Sequence, residues 1–400
     1  MESREKSYDI IIVGGGLVGG CLARALGLEG FKVAVVDEND IEKTLRDYHD
    51  GRSYAISLGS KRILDEIGLW SSLDKQTQPI ETILVGSEVG ESFLTYHRED
   101  VGEDALGFMV DAGLFRRTIL SKSLESKNVT WLSNTTVEGF QVSAEKVMIE
   151  TSQRETITAK LMIAADGARS QMRTLMGIST HEWKYNQLAL VFDVKHEAAH
   201  QNTAVEVFTA EGPFAILPHK GRSSGCVWSL KRAYAEDFLK LSKQEMEETL
   251  NLRFAEVFGK MKLITPVSSF PLGVRQPHCC VQTRFVMVGD AAHTIHPLAG
   301  QGANLGFRDV QVLVRELTNA LKLGVDIGSE SVLKKYQRKR RFDNLSMLMV
   351  TDGSARVFAT QNRFMRWGFA KGFKVLNHTR GIKKHMMNHA MGLMKEFPRS

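Results

Sequence analysis

Cysteine is scarce in this chain, with Cys21, Cys226, Cys279 and Cys280 the full complement. None has metal-ligand spacing, so no metal site is expected. The adjacent Cys279 and Cys280 make a poor disulfide, which leaves buried or surface thiols in a reducing cytoplasm. Long apolar runs are missing too: none approaches the roughly 18–20 residues that a spanning helix needs. Met1–Ser7 is short and polar and strand-like sequence starts at Tyr8, leaving no room for a signal peptide or transit segment. There is no internal repeat and no low-complexity tract. Four hundred residues exceed one small core and point to two domains with a tail.

Acidic residues are scarce toward the C-terminus. Arg363–Ser400 carries nine basic residues against the single acid Glu396, a local charge of +8. The whole chain is +6, so residues 1–362 sum to −2. The basicity therefore suggests a partner surface at the C-terminus, and argues against a nucleic-acid-binding body.

Tyr8–Val13 (YDIIIV) is a continuous apolar run of the kind that fills a central parallel strand. Gly14, Gly16 and Gly19 follow in G-x-G-x-x-G register, then a small-residue helix over Leu17–Leu28 that Gly30 can end. Phe31–Val36 is a second apolar strand closing on Asp37, 23 residues after Gly14. Glycines permit the turn and the close approach of a pyrophosphate, and a terminal acid takes a ribose diol, so the unit reads as dinucleotide-binding. The glycine pattern alone would suit a packing turn.

Two further apolar strands deliver a carboxylate to a turn. Leu161–Ala165 ends in Asp166-Gly167, where Asp166 is either a ligand contact or a helix cap. Phe285–Val288 ends in Gly289-Asp290, followed by His296-Pro297 and a glycine-rich entry to a helix beginning near Asn304. A carboxylate beside a helix N-terminus suits a ligand with hydroxyls and anionic oxygens. Arg52, just after a loop, is either a phosphate or ring contact or a solvated cation. A helix is expected over Val110–Leu124, with Arg116 and Arg117 on its surface.

Between Gln187 and Pro271 the pattern changes to alternating strands and a charged helix, Lys243–Phe258. Phe192, Phe208, Phe214 and Trp228 are read as core there rather than pocket. Lys334–Arg341 is a dense cationic turn and helix. The tail beyond it is helical, basic and rich in methionine and aromatic residues, either core plus solvated face or an interfacial membrane patch.

Gly14–Gly19 with Asp37, then Asp166-Gly167, then Gly289-Asp290 resemble, in order, the motifs of the group A flavoprotein aromatic hydroxylases, the family with the p-hydroxybenzoate hydroxylase fold. The resemblance covers residues 8 to about 345. It implies an α/β fold: a three-layer FAD-binding domain of the GR2-type Rossmann class, an inserted β-rich substrate domain and a C-terminal helical segment. The expected division is 1–80, 101–182 and 273–335 for the FAD-binding domain, 81–100 and 183–272 for the substrate domain, and 336–400 for the basic helical region. Asp50-Gly51-Arg52, Gly68-Leu69-Trp70 and the stretch HPLAGQGANLGFRDV from His296 to Val310 are most similar to the ubiquinone-biosynthesis hydroxylases of polyprenylated phenols. Ser53–Ser57 and Thr351-Asp352-Gly353 lean toward the branch acting on 2-octaprenyl-6-methoxyphenol.

The resemblance further implies that Gly14, Gly16, Gly19 and Asp37 hold the ADP half of FAD and that Asp290 binds the ribitol. Asp166 and Gly167 would serve FAD and the pyridine nucleotide, and Arg52 would lie near the flavin and pyrophosphate. Gly302, Ala303 and Asn304 would face the flavin N1–C2=O2 edge. Pro297 would lie beside the substrate hydroxyl, with His296 as either a catalytic group or a loop hydrogen-bonder. Asp111 departs from the family pattern and receives no role. The implied reaction is ring hydroxylation with FAD, NAD(P)H and O2 through a flavin C4a-hydroperoxide, so no nucleophile triad is needed. Implied partners are the phenol, O2, other ubiquinone-biosynthesis proteins, and the inner face of the cytoplasmic membrane through the basic C-terminus. Other regiospecific hydroxylases, a prenyl reductase and a non-catalytic assembly subunit are the alternatives. A W-x-W-x-I-P motif and a second G-x-G-x-x-G are both missing, which disfavours flavin halogenases, disulfide reductases and Baeyer–Villiger enzymes.

Overall fold

The computed structural model describes residues 6–48, 51–87, 94–294 and 301–358, with 381, 384, 387, 388 and 391–393. Ile10, Ile11 and Ile12 have no exposed surface, as a strand covered on both faces requires. Their strand, Lys6–Val13, lies between Thr156–Ala164 and Val33–Val36, both parallel to it. Val129–Leu132 extends the sheet beyond Val33–Val36, and Phe285–Met287 extends it beyond Thr156–Ala164, also in parallel. Alternate residues then separate into two cores. Ile10 and Ile12 pack with Cys21, Leu22, Phe115, Phe307 and Leu313 from three helices, Leu17–Leu28, Ala112–Leu124 and Gln301–Lys322. Ile11 and Val13 face a smaller antiparallel layer through Val137, Val147 and Ile149. Helices, parallel sheet and antiparallel layer make the expected three-layer α/β unit.

A second, eight-stranded sheet joins Thr180–His196, Pro213–Pro218, Ser223–Lys231 and Thr203–Phe208 to Thr82–Ser87 and Leu94–His97. One of its faces buries Leu190, Phe192, Val205, Val207, Phe214 and Trp228 against Leu250, Phe254 and Phe258 of the helix Lys243–Phe258. Phe214 and Phe254 have ring centroids 4.0 Å apart. Phe192, Phe214 and Trp228 are thus core, as read from the sequence, and Phe208 is buried as well. The opposite face, with Ala189, Val191, Glu206, Ala215, Leu217 and Val227, roofs the space above the first sheet.

Some boundaries differ from expectation. Val110 and Asp111 finish a strand, Gly107–Asp111, and the helix starts at Ala112 because the Asp111 side chain accepts from Leu114 N–H at 2.7 Å. The helix expected near Asn304 starts at Gln301 and runs unbroken to Lys322. Lys334–Arg341 lies within one long helix, Glu330–Phe358. Two of its members, Tyr336 and Arg340, are buried rather than solvated.

Arg340 has a buried partner. Asp309, fully buried on Gln301–Lys322, accepts from Arg340 Nε at 2.6 Å and lies 2.7 Å from His293 Nε2. It also accepts from Gly289 N–H at 2.8 Å, so one carboxylate anchors the turn that carries Asp290. Burial by itself would raise this carboxyl, but His293 and Arg340 overcome it and bring the pKa from 3.8 to about 2. Asp309→Asn keeps the shape and leaves a buried cation without its partner. It should lower the unfolding free energy by about 3–5 kcal/mol in a denaturant titration near neutral pH. Because the folded-state pKa is depressed, this contribution is present above the usual carboxylate pKa and is lost as pH falls from 3.8 toward about 2. The gap between wild type and variant should therefore narrow in acid, and a pH-independent gap would contradict the assignment.

Candidate active site

Between the two sheets runs a crevice in two joined parts, of about 790 and about 540 Å³. Both are lined by Gly16, Leu17, Arg52, Tyr54, Ala165 and Gly167, which makes them continuous. Gly14, Asp37 and Asp166 line the first part, and Gly289, Asp290, Gly302 and Ala303 the second. Ten of the fourteen site residues named from the sequence therefore meet around one cleft. Of the other four, Gly19 and Asn304 support it from behind, and His296 and Pro297 lie outside the described residues.

The three glycines of the first turn have separate physical duties. Gly14 has φ +95°, and a Cβ there would come 2.6 Å from the Ala165 carbonyl oxygen. Gly16 opens onto free space, where a side chain would enter the crevice without touching protein. A Cβ on Gly19 would lie 1.9 Å from the Gly14 carbonyl oxygen, so its absence lets the helix close against the turn.

Asp37 is buried, and protein donors already surround both of its oxygens. Oδ2 accepts from Gly15 N–H at 2.6 Å and from Arg116 Nη2 at 3.2 Å, while Oδ1 accepts from the Asn39 backbone and side-chain amides at 2.8 and 2.7 Å. A carboxylate offers about four lone-pair sites, so a ribose diol would have to share or displace one of these donors. Arg116 corrects a sequence expectation: it is buried in the crevice wall instead of lying on the surface. Its helix buries Ala112, Phe115, Ile119, Leu120 and Ser123, and Arg116 falls on that same face. The 3.6-residue period held this signal. Nη1 of Arg116 is buried with no hydrogen-bond partner among the described residues.

Asp166 divides its two oxygens. Oδ2 accepts from Met172 N–H at 3.0 Å in the first turn of the helix Gln171–Leu175. The N-cap is Ser170, whose side chain accepts from Arg173 N–H at 3.0 Å, so Asp166 assists the cap without being it. Oδ1 is buried and unpaired among the described residues. Unpaired buried oxygens are costly, and a ligand hydroxyl would satisfy this one. Arg173 joins the two acid-bearing turns by donating to the Ala291 and Ala168 carbonyl oxygens, each at 3.1 Å.

In the second part, Asp290 opens to the cleft while protein atoms enclose it densely. That enclosure raises its pKa, with His293 and Arg52 opposing. Gly302 stands close by, the site of its missing Cβ 3.9 Å from Asp290 Oδ1. Asn304 is spent on structure: Ser57 N–H donates to its Oδ1 at 2.9 Å and its Nδ2 donates to the Ala55 carbonyl at 2.8 Å. This pins the start of the helix Gln301–Lys322 beside Ser53–Ser57. The first amides of a helix have no intrahelical acceptor and favour negative charge.

A diphosphate-sized turn, two hydroxyl-seeking carboxylates and a helix N-terminus on one cleft define a dinucleotide flavoprotein, and the orphaned Asp166 and Arg116 atoms fit such a ligand. The FAD binding domain family model matches residues 7–348. Ubiquinone hydroxylase UbiL of Rhodospirillum rubrum is 38% identical over 99% of this chain and 92% of its own length. The 3-demethoxyubiquinol 3-hydroxylase of Escherichia coli is 31% identical over 96% of this chain and 98% of its own. In fold, p-nitrophenol 4-monooxygenase PnpA from Pseudomonas putida superposes with a TM-score of 0.80 at 18% identity, covering 98% of this chain and 100% of that one. The chain belongs to the FAD binding domain family, as an FAD-dependent monooxygenase of the ubiquinone hydroxylase kind.

Two glycine substitutions separate ligand contact from packing. Gly16→Ala should leave the unfolding midpoint within a few degrees of wild type, yet weaken FAD binding by tenfold or more, about 1.4 kcal/mol. Gly19→Ala should cost about 1–3 kcal/mol of stability through overpacking. Flavin fluorescence titration and thermal denaturation check both, and the reverse assignment of the two effects would refute these roles.

Proposed function

We propose that this protein hydroxylates the ring of a polyprenylated phenol in ubiquinone biosynthesis, using FAD, NAD(P)H and O2. The observation that carries the reading is the shape and lining of the cleft. A polar end bears Gly14, Gly16, Asp37 and Asp166, and it passes into an end roofed by Ala189, Val191, Ala215, Leu217 and Val227. Such a roof suits an alkylated ring. Bound FAD would supply the redox chemistry that couples NAD(P)H to O2, with one oxygen atom entering the ring and the other leaving as water.

The chain's own part is to hold and orient. In this reading Gly14, Gly16 and Gly19 form the pyrophosphate turn, and Asp37, with Arg116 beside it, bounds the adenosine half. Asp166 and Gly167 contact the diphosphate and pyridine-nucleotide side. Arg52 lies over the junction, Asp290 accepts ribitol hydroxyls, and the helix start at Gly302, Ala303 and Asn304 favours negative charge on the flavin edge. His296 and Pro297 are proposed beside the substrate on the resemblance alone. The three-layer unit would bind FAD and the second sheet would cover the substrate, with 336–400 as a basic helical region.

The relatives' names point to a ubiquinone precursor without choosing a ring carbon. We propose 2-octaprenyl-6-methoxyphenol from the sequence details, with another ring position of the same pathway as the alternative. No helix among the described residues is long and apolar enough to cross a membrane. A peripheral site on the inner face of the cytoplasmic membrane, through Arg363–Ser400, is the proposed location.

Two experiments test this reading. With 18O2, purified FAD-loaded protein and NAD(P)H should place one labelled oxygen atom on a prenylated phenol, and deleting the gene should accumulate a phenolic quinone precursor. Loss of quinone with no such intermediate would count against it. Removing Arg363–Ser400 should weaken binding to anionic vesicles while FAD content is retained; equal binding by the folded truncation would exclude the membrane role.

A further inference from the structure

The second part of the cleft is lined by three formally charged side chains among the described residues, Arg52, Asp290 and Glu206. The first two belong to the cofactor side. Glu206 is alone on the roof. It lies on Thr203–Phe208, where Val205 and Val207 point into the helix-covered core and Glu206 points the other way. Its strand neighbours are Ala215 on one side and Val85 on the other, neither able to accept or donate through a side chain. Among the described residues no hydrogen bond or ion pair holds its carboxyl. Lone carboxyls on an apolar face are costly and need a reason.

Its position supplies one. Glu206 also lines a smaller side pocket of about 110 Å³, bounded by Ile80, Ile83, Leu106, Leu217 and Met391. That pocket shares Ala55, Glu206, Ala215 and Leu217 with the main cleft. The carboxyl thus stands where a wide cleft meets a narrow apolar recess. A ring lying in the cleft with an alkyl substituent in the recess would bring a ring hydroxyl to this junction.

We propose that Glu206 holds the ring hydroxyl of the substrate and takes its proton during hydroxylation. The proposal rests on the reading of the substrate as a phenol. In the step, the phenol O–H bond breaks with its electron pair kept on oxygen, and an Oε–H bond forms on Glu206. After oxygen insertion the proton returns to the product's oxygen, so the carboxyl is restored with no net proton gained or lost. Electron density left on the phenol oxygen makes the ring a better partner for an electrophilic oxygen atom.

The electrostatics agree with this role. Burial raises the Glu206 carboxyl from 4.5 to about 7, and no neighbouring charge is among the causes. Arg52, Tyr54 and Asp290 line the same part of the cleft, while the recess brings Ser57 and Asn304 but, among the described residues, no ionisable side chain besides Glu206 itself. A phenol titrates near 10 and an ordinary glutamate at about 4.3, a gap of roughly six units. At about 7 the gap falls to roughly three, which makes proton transfer about a thousandfold less unfavourable.

The test uses FAD-loaded Glu206→Gln beside wild type, with 2-farnesylphenol as the probe. Wild-type hydroxylation should rise with pH through an apparent pKa near 7. The Gln variant should keep its FAD, lose about a hundredfold or more in kcat and show no such pH limb. Glu206→Asp should recover part of the rate together with the limb. If the Gln protein does not fold, Glu206→Leu gives the same comparison. Unchanged kcat and pH profile in a folded Gln or Leu variant overturn the proposal. Should wild type hydroxylate no phenol, binding decides separately: pH-dependent 2-farnesylphenol affinity in wild type that vanishes in the Gln variant supports Glu206 as the hydroxyl site. Equal, pH-independent binding by both refutes it.

Discussion

A single buried carboxylate fixes the geometry of the cleft. Asp309 has no solvent, so its charge must be met by protein, and it is met by Arg340, His293 and the Gly289 amide together. Those partners come from two places in the chain, the last long helix and the turn after Phe285–Met287 that carries Asp290, and Asp309's own helix is the third segment. One ion thereby forces three segments into register. Arg340 reinforces the arrangement by donating to the Leu305 carbonyl at 3.2 Å, and Tyr336 Oη donates to the Met287 carbonyl at 3.1 Å. Buried ion clusters are weak sources of net stability, but breaking one is severe. Its value here is positional.

Packing continues what the ion begins. Val18, inside the first glycine motif, sits against Gly289 and Gly306, where Cβ atoms would come within 3.1 and 2.4 Å of its methyl group. Gly289 also needs φ +58°, a conformation that only glycine takes cheaply. The two motifs farthest apart in sequence are therefore in van der Waals contact, with Asp166 reached through Arg173. A flavin dinucleotide is long, and its two ends must be held at a fixed separation. Direct contact between the two turns sets that separation without relying on the ligand.

Much of this arrangement is legible in the amino-acid sequence. Ile10 to Ile12, the spacing of Gly14 to Asp37, and the acid-bearing turns are local patterns, and local patterns encode strands, turns and helix starts. Arg116 and Asp309 are harder. Arg116 is a cation in a helix whose apolar face is short, and the surface is the default place for a charged side chain. Asp309 follows Arg308 within a matched stretch, but nothing near it in sequence shows that its partners are His293 and Arg340. Glu206 occupies an ordinary alternating strand, and alternation says which residues share a face without saying what that face meets. Each of the three owes its role to a contact between distant segments.

The same desolvation acts on both carboxyls of the second part of the cleft, but with different outcomes. Asp290 is raised by burial, and His293 and Arg52 oppose the shift. Glu206 has no such cation and rises to about 7 by burial alone. The second part of the cleft thus holds one carboxyl whose shift nearby cations oppose and, on the roof, one raised by burial alone. Placing a cation opposite Glu206 would cancel the difference. Its uncharged strand neighbours, Ala215 and Val85, are what preserve it.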